Sequence, residues 1–272
     1  MTGRGKAGTP APPRLPLRDL TLTTRPVPPE RLFNVRSVGP GAASDIRSTA
    51  ESFQDLKDRA GPFSDSDECG QAWYLLRKLR RQSDPTWGYY VFVTSYTEAA
   101  MKGLEPAAQK LVEVVHRIFA ENAHPALGAE AYKRFKLDLV QDREALDGAS
   151  DDRVREEFNA LLRGHGLWPA GCSDSGPFMP ARHFVCFVFD EATILELESL
   201  SFPDKLEEDY KALENVRIKI LDRAWQRPKS GRSSYPGVDD CPVQGLVGVY
   251  YLTGNGDSNS MKDMYPMSSC FY

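Results

Sequence analysis

Two short segments of this chain are apolar at every position, and two others alternate strictly between apolar and charged residues. Tyr89, Tyr90, Val91, Phe92 and Val93 form the first apolar run, and Phe184 to Phe189 the second. Successive side chains of a strand point to opposite faces, so a strand apolar throughout needs cover on both sides. By contrast, Phe135, Leu137 and Leu139 alternate with Lys136 and Asp138, and Val216, Ile218 and Ile220 alternate with Arg217 and Lys219. These read as strands with one solvated face. Leu246 to Leu252 is expected to be a fifth strand.

Helical stripes lie between these runs. Leu104, Leu111, Val115, Ile118 and Phe119 share one face of a helix predicted over residues 104–122, with Pro106 near its first turn. Ser150 is placed to cap a helix carrying Val154, Phe158, Leu161 and Leu162. Asp190 precedes a third stripe of Ile194, Leu197 and Leu200. The order predicts an α+β fold, a ferredoxin-like sandwich with a β-α-β-β-α-β core, an inserted helix and an extra strand. Its four core strands would run 4-1-3-2 in space, placing the two fully apolar strands at the centre. A doubly wound parallel sheet is the competing architecture. The sheet's second face needs a cover, and a helix starting near Ser66, with Trp73, Leu76 and Leu79, is expected to lie across it. A homodimer contact is the alternative.

Residues 1–40 read as a disordered, basic arm. Seven prolines fall between Pro10 and Pro29, and Arg4, Lys6, Arg14, Arg18, Arg25 and Arg31 face only Asp19 and Glu30. Residues 41–84 are expected to be a helical lead-in, with a short helix from about Thr49 to Arg59. Residues 85–254 form the α+β core and residues 255–272 a flexible tail. The net charge of -4 argues against a nucleic-acid-binding surface. Five cysteines with long spacings and no C-x-x-C speak against a disulfide framework or a zinc site. With no secretory signal, sequon or run of 18 apolar residues, a cytoplasmic location off the membrane is expected.

Three segments agree in order with a known pattern. They are Trp87-Gly88-Tyr89-Tyr90-Val91-Phe92-Val93-Thr94-Ser95-Tyr96, Asp142-Arg143-Glu144-Ala145-Leu146-Asp147-Gly148-Ala149-Ser150 and Cys186-Phe187-Val188-Phe189-Asp190-Glu191. They resemble a large family of uncharacterised filamentous-fungal proteins, over roughly residues 85–252. Val93 stands where that pattern carries Arg. The resemblance implies a fungal source and no activity.

No cofactor fingerprint survives inspection. Gly254-Asn255-Gly256 is followed by no third glycine and no helix, and Gly171-Cys172-Ser173-Asp174-Ser175 lacks the last glycine of a nucleophile elbow. His116, His124, His165 and His183 show no metal spacing. Arg182 to Phe189 partly follows an RNA-binding strand motif, but His183 and Val185 fill its two small positions. Carboxylates at strand ends and nearby aromatics supply the candidate pocket: Trp87, Tyr96, Asp142, Asp190, Glu191, Asp222 and Tyr251. Helix capping and core packing are the simpler roles for these residues. Three functions follow. The first is a non-catalytic binding or interaction protein whose partner is a protein or small molecule. The second is a small-molecule enzyme of the dimeric α+β barrel kind, working on an open sheet face. The third is an RRM-like RNA binder. Whether the chain is a monomer or homodimer, and whether it is an enzyme at all, stay open at this level.

Overall fold

The most demanding contact in the fold is made by a glycine. In the computed structural model, Gly88 has φ +134, and a Cβ there would fall 1.7 Å from the Lys136 carbonyl oxygen. Only glycine lets the two strands carrying these residues close up. The structure describes residues 33–43, 46, 70–82, 85–120, 124–165, 180–202, 213, 215–225, 235–253, 261 and 265–266. The expected helix at Thr49–Arg59, the start of the helix near Ser66 and nearly all of the arm and tail lie outside these.

Six strands form one mixed sheet in the order β1-β3-β2-β4-β5-β6. They are β1 (Asn34–Val38), β2 (Trp87–Val93), β3 (Phe135–Gln141), β4 (Val185–Phe189), β5 (Arg217–Asp222) and β6 (Val238–Pro242). Among the described residues the α-helices are α1 (Gly70–Gln82), α2 (Glu98–Ala120), α3 (Pro125–Lys133), α4 (Arg143–Leu146), α5 (Asp151–Gly164), α6 (Glu191–Ser199) and α7 (Leu246–Leu252). The chain is therefore a mixed α and β protein, as its patterning predicts.

The ferredoxin-like order is not what the sheet shows. The two fully apolar strands, β2 and β4, are neighbours at the centre as expected. However, β2 runs parallel to both β3 and β4, and β3 lies beside β2 where that sandwich would place it beside β4. The reason is α5. A helix between β3 and β4 returns the chain to the starting end of the sheet, so the next strand enters parallel; a hairpin would have made it antiparallel. The centre, β3-β2-β4, is thus a short doubly wound unit whose order reverses at β2. Antiparallel strands β1, β5 and β6 extend it on both sides.

The same topology decides what covers each face. Trp87, Tyr89, Val91 and Val93 face one side, where Phe119 of α2 packs on Trp87 and Tyr250 of α7 packs on Trp87 and Tyr89. Tyr90 and Phe92 face the other side, where Phe158 of α5 packs on both rings. Crossovers of a single hand on the two sides of β2 must put their helices on opposite faces. The expected lid of Trp73, Leu76 and Leu79 is therefore corrected. These α1 residues are buried, but α1 packs against α7 and α3, and α5 covers Tyr90 and Phe92.

Four local expectations also change. Leu246–Leu252 is a helix, not a strand. It follows a 3-10 turn at Val243–Gly245 and buries Leu246, Val247, Val249 and Tyr250, a helical stripe that a seven-residue apolar run conceals. β1 lies inside the stretch expected to be disordered, because pairing with β3 supplies the order its own sequence does not. β6 was not foreseen. Its Asp239, Asp240 and Pro242 suit an outer strand, where they discourage further pairing. Finally, α2 begins at Glu98, with Ala100 N–H donating to Thr97 Oγ1 at 3.1 Å, so Pro106 lies within the helix.

Candidate functional site

The three parallel strands end on one rim, and four helices begin there. Each helix start carries its own cap. Asp142 accepts the Ala145 amide at 3.1 Å, Ser150 the Arg153 amide at 3.3 Å, and Asp190 the Thr193 amide at 2.9 Å. Thr97 caps α2 and donates its hydroxyl proton to Glu191 Oε1 at 2.7 Å. A side-chain acceptor at these positions satisfies an amide that the helix leaves unpaired. The backbone of Thr94 ties the rim together, donating to the Phe189 carbonyl and accepting from the Gly148 amide, both at 2.9 Å.

Tyr96 sits on this rim, 8% exposed. Its hydroxyl oxygen accepts the Asp142 amide at 2.6 Å, and burial pushes its phenol up to about 12. Four of the seven residues singled out from the sequence, Tyr96, Asp142, Asp190 and Glu191, are thereby brought to one rim. The other three are elsewhere. Trp87 starts β2 at the opposite, amino rim, fully buried, with its indole N–H donating to the Ala131 carbonyl at 2.7 Å. Asp222 ends the antiparallel β5 and so also lies at the amino rim, opposite Val185. It accepts the Ala224 amide at 2.9 Å and the Tyr235 hydroxyl at 3.3 Å, and burial raises its carboxyl above the usual range. Tyr251 is on α7 against Tyr74, ring centroids 5.4 Å apart.

Several polar groups escaped the sequence reading. Asp138 alternates with apolar neighbours as a solvent-facing residue would, yet it is 4% exposed. The Ser37 hydroxyl and the Lys136 ammonium both donate to it, and Arg182 lies 3.9 Å away. β1 thus adds a hydroxyl to a charge cluster that only the sheet register assembles. Lys78, in the basic run Arg77-Lys78-Leu79-Arg80 of α1, is 5% exposed. Its ammonium donates to the carbonyls of Tyr250 at 2.7 Å, Tyr251 at 3.0 Å and Thr253 at the end of α7. Burial brings Lys78 down to about 7. Arg155 stacks over Trp225 at 5.0 Å and donates to the carbonyls of Asp222 and Gly237.

The nucleophile and metal inventory is plain. Cys186 and Cys241 are free and buried, and burial raises both thiols well above their usual range. Among the described residues no group of three His, Cys, Asp or Glu side chains is placed to hold a metal, and no helix is long and apolar enough to cross a membrane. Two of the three aromatics in the RNA-binding-like segment, Phe187 and Phe189, point inward, and Phe184 is half-buried. Phe187 packs on Tyr89 at 4.2 Å, and Phe189 is fully buried. No protein-family model, curated protein or solved structure matches this chain.

Proposed function

We propose that this chain is a non-catalytic binding protein whose carboxyl rim receives a cationic partner. The observation that carries this reading is that both faces of the central sheet are filled by the protein's own side chains. Tyr89, Val91, Val93, Phe187 and Phe189 on one face, and Phe92 and Val188 on the other, are all 3% exposed or less. An enzyme of the dimeric barrel kind needs one face open as its pocket, and that face is occupied.

What remains accessible at the place where the strand order reverses is the carboxyl rim, the usual ligand position in such sheets. Its carboxylates outnumber its cations. Glu98, Glu144, Asp147 and Asp152 are exposed, and Asp142, Asp151, Asp190 and Glu191 half-buried. Arg143 pairs with Asp147, Lys219 with Asp151 and Arg155 with Asp152. The excess of carboxylate charge over these cations favours a partner bearing ammonium or guanidinium groups. The fungal resemblance and the buried free thiols fit a cytoplasmic setting, and the covered faces fit a monomer.

The test is titration with a short oligo-arginine peptide, followed by backbone amide shifts at physiological salt. Saturable shifts at residues 94–97, 142–150 and 190–193 are expected, weakened by Glu191→Gln with Asp147→Asn. Shifts scattered over the surface, or none that saturate, would refute the rim as the site.

A further inference from the structure

The end of α7 holds two polar groups at a cost. Lys78 of α1 is 5% exposed and places its ammonium on the carbonyls of Tyr250, Tyr251 and Thr253. No carboxylate among the described residues pairs with it, and burial alone brings it down to about 7. Thr253 is 2% exposed, and its hydroxyl oxygen is buried with no hydrogen-bond partner. A buried hydroxyl left unpaired costs free energy that contact with water returns. α7 itself sets little against these costs. It spans seven residues, and Gly245 before it gives no side-chain cap. A helix this short depends on packing. That packing is the aromatic cover α7 provides. Tyr250 lies on Trp87 and Tyr89 at 5.4 and 5.9 Å, and the Tyr89 hydroxyl donates to the Leu246 carbonyl at 2.6 Å. Local opening is drawn from elements of low intrinsic stability.

The helices around the amine supply no counter-charge. α7 brings Tyr250, whose ring centroid is 5.4 Å from Lys78 Nζ, and Tyr251. α3, which also packs on α1, brings Glu130, Tyr132 and Lys133. Glu130 pairs with Arg134 at 2.6 Å, and Tyr132 stacks on His116 at 4.6 Å. The other charged side chains described on α1, Arg77 and Arg80, are cations. The amine therefore holds a proton less tightly while α1 and α7 are docked than once they part and water reaches it.

We propose that Lys78 makes α7 an acid-opened cover over the Trp87–Tyr89 face of the sheet. Uptake of a proton by the amine favours a local opening. In it the end of α7 leaves α1, water reaches Lys78 and Thr253, and Tyr250 lifts from Trp87 and Tyr89. Loss of the proton favours the docked state. The device does not depend on the carboxyl-rim reading.

The experiment is amide hydrogen exchange of the full chain, read by NMR from about pH 7 to about pH 9 and corrected for the intrinsic exchange rate at each pH. Docked Lys78 titrates near 7 and exposed Lys78 at 10.5, so the open state holds more protons across this range. Protection at Tyr250 and Thr253 is expected to be lower than at Val91 of β2. It should also rise with pH, approaching about tenfold per unit. The Ile194 amide of α6 should show no such slope, and Lys78→Met should flatten the slope at α7. Protection at Thr253 that does not change with pH would overturn the proposal. So would protection equal to that of Val91, or the same slope at Ile194, because α7 would then open only with the whole domain. If Lys78→Met does not fold, the wild-type slopes decide alone.

Discussion

Replacing Phe158 with alanine tests whether α5 alone closes the second face of the sheet. Phe158 is fully buried, with its ring 5.9 Å from Tyr90 and 5.7 Å from Phe92. Truncating a buried phenylalanine costs about 3–5 kcal/mol, combining lost transfer energy with the cavity left behind. Two aromatic contacts place this site toward the upper end. Domains of this size lose about 2–4 °C of Tm per kcal/mol, so a fall of roughly 10 °C or more is expected. Urea unfolding followed by circular dichroism gives the free energy, and the slope shows whether the transition stays two-state. Binding of a hydrophobic dye should rise as Tyr90 and Phe92 lose their cover. A loss below about 1 kcal/mol, typical of surface substitutions, would mean that something other than α5 buries these rings.

Gly88→Ala should abolish folding or cost more than about 3 kcal/mol, because the new Cβ meets the Lys136 carbonyl and the positive φ is strained; soluble yield and circular dichroism check this. Asp190→Ala should cost about 0.5–2 kcal/mol through loss of the α6 cap, and an unchanged denaturation midpoint would contradict that role. Lys78 titrates near 7 in the folded chain and at 10.5 when exposed, so between these values the unfolded state holds more protons. The Lys78 contribution to stability should therefore rise with pH from about 7 toward 10.5 and be constant outside that window. Urea midpoints of wild type and Lys78→Met at several pH values measure it as a difference, and a difference that does not change with pH would refute it.

The two apolar strands, the alternation of β5 and the caps at Ser150 and Asp190 were legible in the residues, because alternation, stripes and capping are local properties. Two of the seven candidate site residues, Asp142 and Asp190, share a rim for the same reason, since carboxylates that cap helices after parallel strands must collect where those strands end. The rest belongs to long-range pairing. Asn34–Val38 carries no strand signal of its own and is ordered by β3; Leu246–Leu252 reads equally as strand or helix until Trp87 and Tyr89 take Tyr250. Asp138 and Lys78 look like surface charges, and only the sheet register and the end of α7 make them buried and hydrogen-bonded. Strand order itself could not be read from composition or period. It depends on whether the link from β3 to β4 crosses over or turns back, and the helix in that link, legible from Val154, Phe158 and Leu161, decided it only once the sheet had formed around it.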